Sequence, residues 1–263
     1  MVPDCRKEKE KQFFNKAFEL GSRTSVSRFY EISDSSKAYE NLILSDCRDQ
    51  VVLEYGCGKG SYAFHLAKCG AEVVGIDISE VAVRLAKTQA EKEKLKSITF
   101  QVMDAESTHF QENTFDKICG TGILHHLNFN KALKEITRIL RPEGKAIFKE
   151  PLGHNPFINI FRRLTPQLRT EDEHPLKNKD IKQIDKFFYD YDYQFFYFLS
   201  FIALSFRNVR LFSSPLKILD YMDRKLFKWL PFLRLWAWQI VIILKNPKKS
   251  HLNRSDSKKY VKT

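Results

Sequence analysis

The chain has 263 residues, a net charge of +12 at pH 7 and a hydrophobic share of 43%. That length suits one α/β domain with additions, and that apolar content excludes a wholly disordered chain. The charge leaves nucleic acid, an anionic membrane or an acidic substrate as partners. Its distribution argues against specific nucleic-acid binding. Over residues 245–263 Lys245, Lys248, Lys249, Arg254, Lys258, Lys259 and Lys262 stand against Asp256 alone, so 246–263 reads as a basic disordered tail. Five cysteines, Cys5, Cys47, Cys57, Cys69 and Cys119, form an odd set without the spacing of a metal site. No metal is expected. A leader with a long apolar core is not visible at the start, so the expectation is a cytoplasmic protein, with a peripheral membrane contact left open.

In chain order, residues Glu8–Leu20 read as a helix with Phe13, Phe14, Ala17 and Phe18 on one side. A second helix is expected over Ser36–Leu44. Residues 1–45 thus form a helical cap outside any sheet. Tyr30, between the two helices, is a candidate substrate-pocket residue or an anchor.

The stretch from Val51 to Ser79 organises the rest. Val51–Leu53 is a short apolar strand. Glu54, Gly56, Cys57, Gly58 and Gly60 form a turn, and an apolar-faced helix runs to Gly70. Val73–Ile76 is a second strand ending in Asp77 and Ile78. The glycines let the backbone approach a ligand closely, and Asp77 is placed to accept from ribose hydroxyls. A phosphate loop is excluded because Gly-Lys-Ser/Thr is missing. Glu54 beside the turn would repel a pyrophosphate but suits an ammonium. A ribose plus an ammonium points to S-adenosylmethionine rather than a nicotinamide dinucleotide.

Ser79 caps a helix over Glu80 to about Lys94. Ile98–Val102 is a third strand, followed by Asp104 and Ala105. Phe115–Gly120 is a fourth, followed by Thr121. Asn128 opens a helix to Leu140, Pro142 and Gly144 make a turn, and Lys145–Lys149 is a fifth strand leading to Glu150. Alternating strands and helices give a parallel doubly wound sheet. Glu54, Asp77, Asp104, Thr121 and Glu150 all follow strand ends, where such sheets bind ligands.

These residues carry a family resemblance over roughly 46–152. Glu54-Tyr-Gly-Cys-Gly-Lys-Gly60 resembles the glycine motif of class I S-adenosylmethionine-dependent methyltransferases. Phe115–Ile118, Gly122–Leu127 and Leu140–Gly144 resemble their small-molecule "type 11" subgroup, which includes ubiquinone and menaquinone methyltransferases. The resemblance implies a Rossmann-like seven-stranded sheet with an antiparallel last strand. It makes Asp77 the ribose acid and Asp104 the adenine acid, with His126 on the cofactor side. Bound species would be S-adenosyl-L-methionine and its product S-adenosyl-L-homocysteine.

Beyond strand five, residues 151–178 read as a lid over the site. His154, Asn155, Arg163, Arg169, Glu173 and His174 are its candidate recognition residues. His154 is the preferred base, and Glu150 either binds a substrate amine or orients His154. His125 is a further catalytic or substrate-side candidate, although only one of His125 and His126 is expected to face the site. A last helix is expected over Asp180–Phe188, strand six over Tyr189–Ser200 and strand seven over Trp236–Leu244, completing a domain of residues 46–245. The apolar insertion 201–232 holds a helix over Leu216–Trp229, with Ile218, Leu219, Met222, Leu226 and Trp229 on one face. Ordinary core packing is the expectation for that face. A dimer contact or an interfacial membrane contact is the alternative, since Arg224, Lys225 and Lys228 adjoin it. The activity implied is methyl transfer to an O, N or C atom of a small molecule, such as a quinone, a lipid-like acceptor or a specialised metabolite. An RNA, protein or membrane-lipid methyltransferase is the alternative. The protein is expected to be a monomer or homodimer.

Overall fold

The structure is a computed structural model that describes residues 5–21, 34–165, 173–200 and 213–249, with residues 157, 161 and 213–217 described for their backbone only. Tyr30, Arg169 and the basic tail beyond residue 249 lie outside the described residues.

Among the described residues two helices precede the sheet, α1 (Cys5–Glu19) and α2 (Asp34–Leu44). The Val51–Ser79 unit folds as expected into β1 (Val51–Tyr55), α3 (Ala63–Lys68) and β2 (Glu72–Asp77). Next come α4 (Glu80–Lys92), β3 (Ile98–Val102), β4 (Phe115–Thr121) and α5 (Phe129–Ile139). Ser79 Oγ accepts the Ala82 amide at 3.1 Å and Asn128 Oδ1 the Lys131 amide at 3.1 Å. Both helices therefore start where a short polar side chain satisfies an orphan donor. The chain continues through β5 (Leu140–Pro151), α6 (Pro156–Leu164), α7 (Asn178–Ile181), β6 (Phe188–Phe196), α8 (Ser213–Trp229) and β7 (Gln239–Pro247).

The sheet order is β3-β2-β1-β4-β5-β7-β6. β1 to β5 run parallel, and β7 inserts antiparallel between β5 and β6. Alternation along each strand divides the core in two. Leu53, Tyr55, Ala146, Phe148, Ile240 and Ile242 pack on the face covered by Ala132, Leu133 and Ile136 of α5. Val52, Ile147, Val241 and Ile243 pack on the other, under Tyr39 and Ile43 of α2 and Val83 and Ala86 of α4.

Three expectations need correction. β5 begins at Leu140, before the expected turn; its pairing jumps from Phe115↔Leu140 to Lys117↔Lys145, so residues 141–144 bulge from the ladder. Gly144 is required there, because a Cβ would meet Asp116 O at 2.9 Å. The helix expected over Asp180–Phe188 is α7 plus a 3-10 turn, Lys182–Lys186. The apolar face of α8 is not core: Ile218, Met222 and Trp229 are exposed. None of the helices among the described residues is long and apolar enough to cross a membrane.

Candidate active site

The carboxyl ends of β1, β2, β4 and the start of the loop after β3 converge on one cleft, as the doubly wound topology requires. Gly56 and Gly58 form its floor with φ of +71° and +51°, backbone angles open mainly to glycine. Asp77 lines the cleft at the end of β2. Its Oδ2 accepts the Gly58 amide and its Oδ1 the Ser79 amide, both at 2.8 Å. Asp77 thus ties the glycine turn to the start of α4. Ile78, Asp104, Ala105, Thr121 and His126 also line the cleft, with Met103, Gly122 and Ile123. Asp104 Oδ1 accepts the Glu106 amide at 2.8 Å.

Glu54, Cys57 and Gly60 stand behind this surface. Glu54 is buried, and its Oε1 and Oε2 accept the Tyr62 and Ala63 amides at 3.2 and 3.1 Å. It is the anchor of the α3 N-terminus rather than a direct ammonium ligand. Burial pushes its carboxyl up to about 8, against the pull of those two amides. The Cys57 thiol faces the core, where burial raises its pKa well above the ordinary value.

Helix α1 closes the cleft from above. Its Lys7 Nζ lies 2.6 Å from Asp104 Oδ2 and 3.0 Å from Glu106 Oε2. Arg6 pairs with Glu106 and donates to the His126 carbonyl at 2.7 Å. Phe14 meets the His126 ring edge-on with centroids 5.3 Å apart, and the Phe18 ring lies over Gly58. The cap therefore covers the cofactor rim, not only the acceptor side. The enclosed volume is about 110 Å³, below the several hundred that a small-molecule pocket spans. The apolar stripe of α1 is visible in the sequence, but nothing there shows that Arg6 and Lys7 meet acids, and Glu10 a histidine, some hundred residues away.

The groups beyond the cofactor rim are arranged differently from the expectation. Glu150 Oε1 accepts the Ile123 and Leu124 amides at 2.9 Å each, and Oε2 lies 2.7 Å from His125 Nδ1. A carboxylate accepting two amides is an acceptor towards the ring too, so Nδ1 carries the proton and Nε2 keeps its lone pair. Glu150 thus orients His125, not His154. His154 Nε2 is occupied by the Asn178 amide at 2.9 Å. Its lone pair is spent on holding α7, which removes it as a base. Asn155 is structural as well: Oδ1 caps α6 through the Ile158 amide at 3.2 Å, and Nδ2 donates to the Trp236 carbonyl at 2.8 Å. Arg163 is exposed. His174 is exposed, and its amide donates to the His125 carbonyl at 3.2 Å.

His125 and His126 do not diverge. Their ring centroids are 4.2 Å apart and both are buried. His126 Nδ1 lies 3.1 Å from Glu10 of α1, and burial followed by the field of His125 lowers its pKa. Glu173, from the lid, brings Oε1 to 3.8 Å from His125 Nε2. Burial works to raise the Glu173 carboxyl, but His125, His126 and Arg162 together hold it below the ordinary range. His125, His126 and Glu173 each place a ligand atom within 4.8 Å of the others. Arg162, 2.7 Å from Glu173 Oε1, already supplies a positive charge to that carboxylate. Glu10 and Glu106 escaped the sequence reading, and Glu173 was read there only as one lid residue among several. Nothing local distinguishes such acids from solvated charges.

Residues 53–148 match the family described as "Methyltransferase domain". A demethylmenaquinone methyltransferase of Lactococcus lactis is 28% identical over 135 residues, 48% of this chain and 54% of that protein. A ubiquinone biosynthesis O-methyltransferase of Coxiella burnetii is 36% identical over 98 residues, 37% of this chain and 42% of that one. The chain thus spans about half the length of the curated relatives it matches. A phosphoethanolamine N-methyltransferase of Haemonchus contortus, solved with S-adenosylhomocysteine, shares the fold with a TM-score of 0.61 at 22% identity. It covers 88% of this chain and 60% of the other. The span 53–148 thus matches a methyltransferase domain, and the whole sheet with its helices has the Rossmann-like fold of that solved methyltransferase.

Proposed function

We propose that this protein moves the methyl group of S-adenosyl-L-methionine to a protonated oxygen or nitrogen of a small molecule, with His125 as the proton acceptor. One observation carries the reading: Asp77 and Asp104 line the cofactor cleft while the Glu150–His125 pair stands beside it, with Nε2 turned to the lid. Asp77 would hold the ribose and Asp104 the adenine amine, with Ile78 and Ala105 flanking the base. The acceptor atom X–H would take the position against His125 Nε2 that Glu173 borders. Its lone pair attacks the methyl carbon in line with the carbon–sulfur bond. That bond's electron pair returns to sulfur, giving S-adenosyl-L-homocysteine. The proton on X passes to His125 Nε2, and Glu150 stabilises the imidazolium. The names of the curated relatives favour a quinol-type or lipid-like acceptor.

Calorimetry tests the reading at its base. S-adenosylhomocysteine is expected to bind and NAD is not. Asp77→Ala is expected to weaken that binding by roughly 1–3 kcal/mol, the worth of charge-assisted hydrogen bonds. Tight NAD binding without homocysteine-nucleoside binding would end the proposal. Labelled cofactor offered to a small-molecule extract, to RNA and to protein then assigns the acceptor class.

A further inference from the structure

Helix α8 is turned inside out. In a helix at the surface of a water-soluble domain, acids face solvent and large apolar side chains face the core. Here Asp220 is 7% exposed and Asp223 3%, while Ile218 is 62%, Tyr221 56% and Trp229 73% exposed. The turn after the helix continues the pattern, with Phe232 at 65%. The inward acids are used. Asp223 accepts the amides of Phe198, Leu199 and Ser200 at 3.0, 2.8 and 3.2 Å, and the Ser200 hydroxyl at 2.6 Å. Phe227 anchors the helix from the same side. Among the side chains described on α8, every charge left on the outer face is positive: Lys225, Lys228 and Arg224, the last paired with Asp34 Oδ2 at 3.7 Å. Lys225 Nζ sits over the Tyr221 ring, 5.4 Å from its centroid, so a positive charge lies directly on the aromatic surface.

The geometry points to a docking surface for an anionic lipid bilayer, built from α8 and the turn Pro231–Trp236. Exposed aromatics and aliphatics enter the headgroup region, and flanking lysines meet lipid phosphates. A second copy of this chain fits worse. A two-fold contact sets the patch against itself, which brings Lys225 and Lys228 towards their own counterparts. The inward burial of both acids removes the helix's own negative charges, which would repel such a membrane, and leaves Asp34, paired with Arg224, beside it. The patch is tied to the loop after β5, where Asn155 Nδ2 donates to the Trp236 carbonyl at 2.8 Å. The inference rests on exposure and charge, and stands or falls apart from the methyl-transfer reading.

The chain contains three tryptophans, of which Trp229 and Trp236 are exposed and Trp238 is buried. Intrinsic fluorescence therefore reports on this surface without any substitution. Vesicles of mixed phosphatidylglycerol and phosphatidylcholine, at near-physiological salt, are expected to shift the emission to the blue. Brominated lipid is expected to quench it, and the protein should float with the vesicles. The double variant Trp229→Glu, Phe232→Glu is expected to lose partitioning by about tenfold or more, with its thermal midpoint and S-adenosylhomocysteine affinity unchanged. Unquenched tryptophans in the wild type overturn the proposal. Undiminished flotation of the folded double variant also overturns it, because the basic tail alone would then account for binding. A dimer in sedimentation velocity that the double variant dissolves, without vesicle binding, assigns the patch to a second copy instead.

Discussion

The cleft end of the sheet and the β6–α8 end use the same device to opposite purpose. At the cleft, Glu54, Asp77, Asp104 and Glu150 each accept backbone amides from the turn they stand beside. The loops are thereby fixed before any ligand arrives, and the ring of His125 is aimed by an acid that is itself aimed by two amides. At the far end, Asp223 accepts three amides in the same way. There the result is a helix whose polar groups are consumed inside and whose apolar groups are left outside. Buried carboxylates thus do not by themselves mark a catalytic centre. What differs is what they leave facing outward: a lone-pair nitrogen and a bare backbone in one case, a hydrocarbon surface in the other.

Substitutions at the two ends should separate these roles. The largest effect is expected for His125→Gln, which keeps a donor for Glu150 but removes the acceptor nitrogen. Turnover should fall by about a hundredfold or more, with S-adenosylhomocysteine affinity within about twofold of the wild type. Equal losses in turnover and affinity would make His125 a scaffold residue and erase the contrast. Next in size, Asp223→Ala strands amide donors that are otherwise buried. It should cost about 2–3 kcal/mol in denaturant unfolding and leave cofactor affinity intact. A loss of affinity would show that the two ends are coupled.

The smallest effect is a slope. Burial holds the Glu54 carboxyl near 8 against an ordinary value of 4.5. The folded chain therefore keeps a proton there in a range where the unfolded chain has released it. The stability this group contributes is full below about pH 4.5 and drains away as pH rises through 8. Glu54→Gln should flatten that part of the pH profile of the thermal midpoint. Parallel profiles for wild type and variant would mean that the group titrates as it does in water.

Much of the fold was legible because the span from Asp46 to Leu152 is local in its logic. Each strand is a short apolar run, α4 and α5 carry their own caps, and Asp77, Asp104, Thr121 and Glu150 follow strand ends whose order the connections dictate. The illegible parts depend on contacts far apart in sequence. Lys7 meets Asp104 across 97 positions and Arg6 meets His126 across 120, distances over which periodicity carries no information. The preference for His154 over His125 failed because a neighbouring loop, not the lid, supplies the partner of Glu150. Helix α8 misled for a subtler reason. Asp220 and Asp223 look like a solvent face, and only the backbone amides of a preceding loop, drawn against Asp223, reverse the helix.

The bonds of α1 to the rim have a kinetic meaning. Lys7 and Arg6 hold the acids that border the cleft, so under the proposed function the exchange of spent nucleoside for fresh would work against ion pairs at the protein surface. Such pairs weaken as counterions accumulate. Ionic strength should therefore govern how long the product stays, and a charge added near the first turn of the chain would alter turnover without touching a single reacting atom.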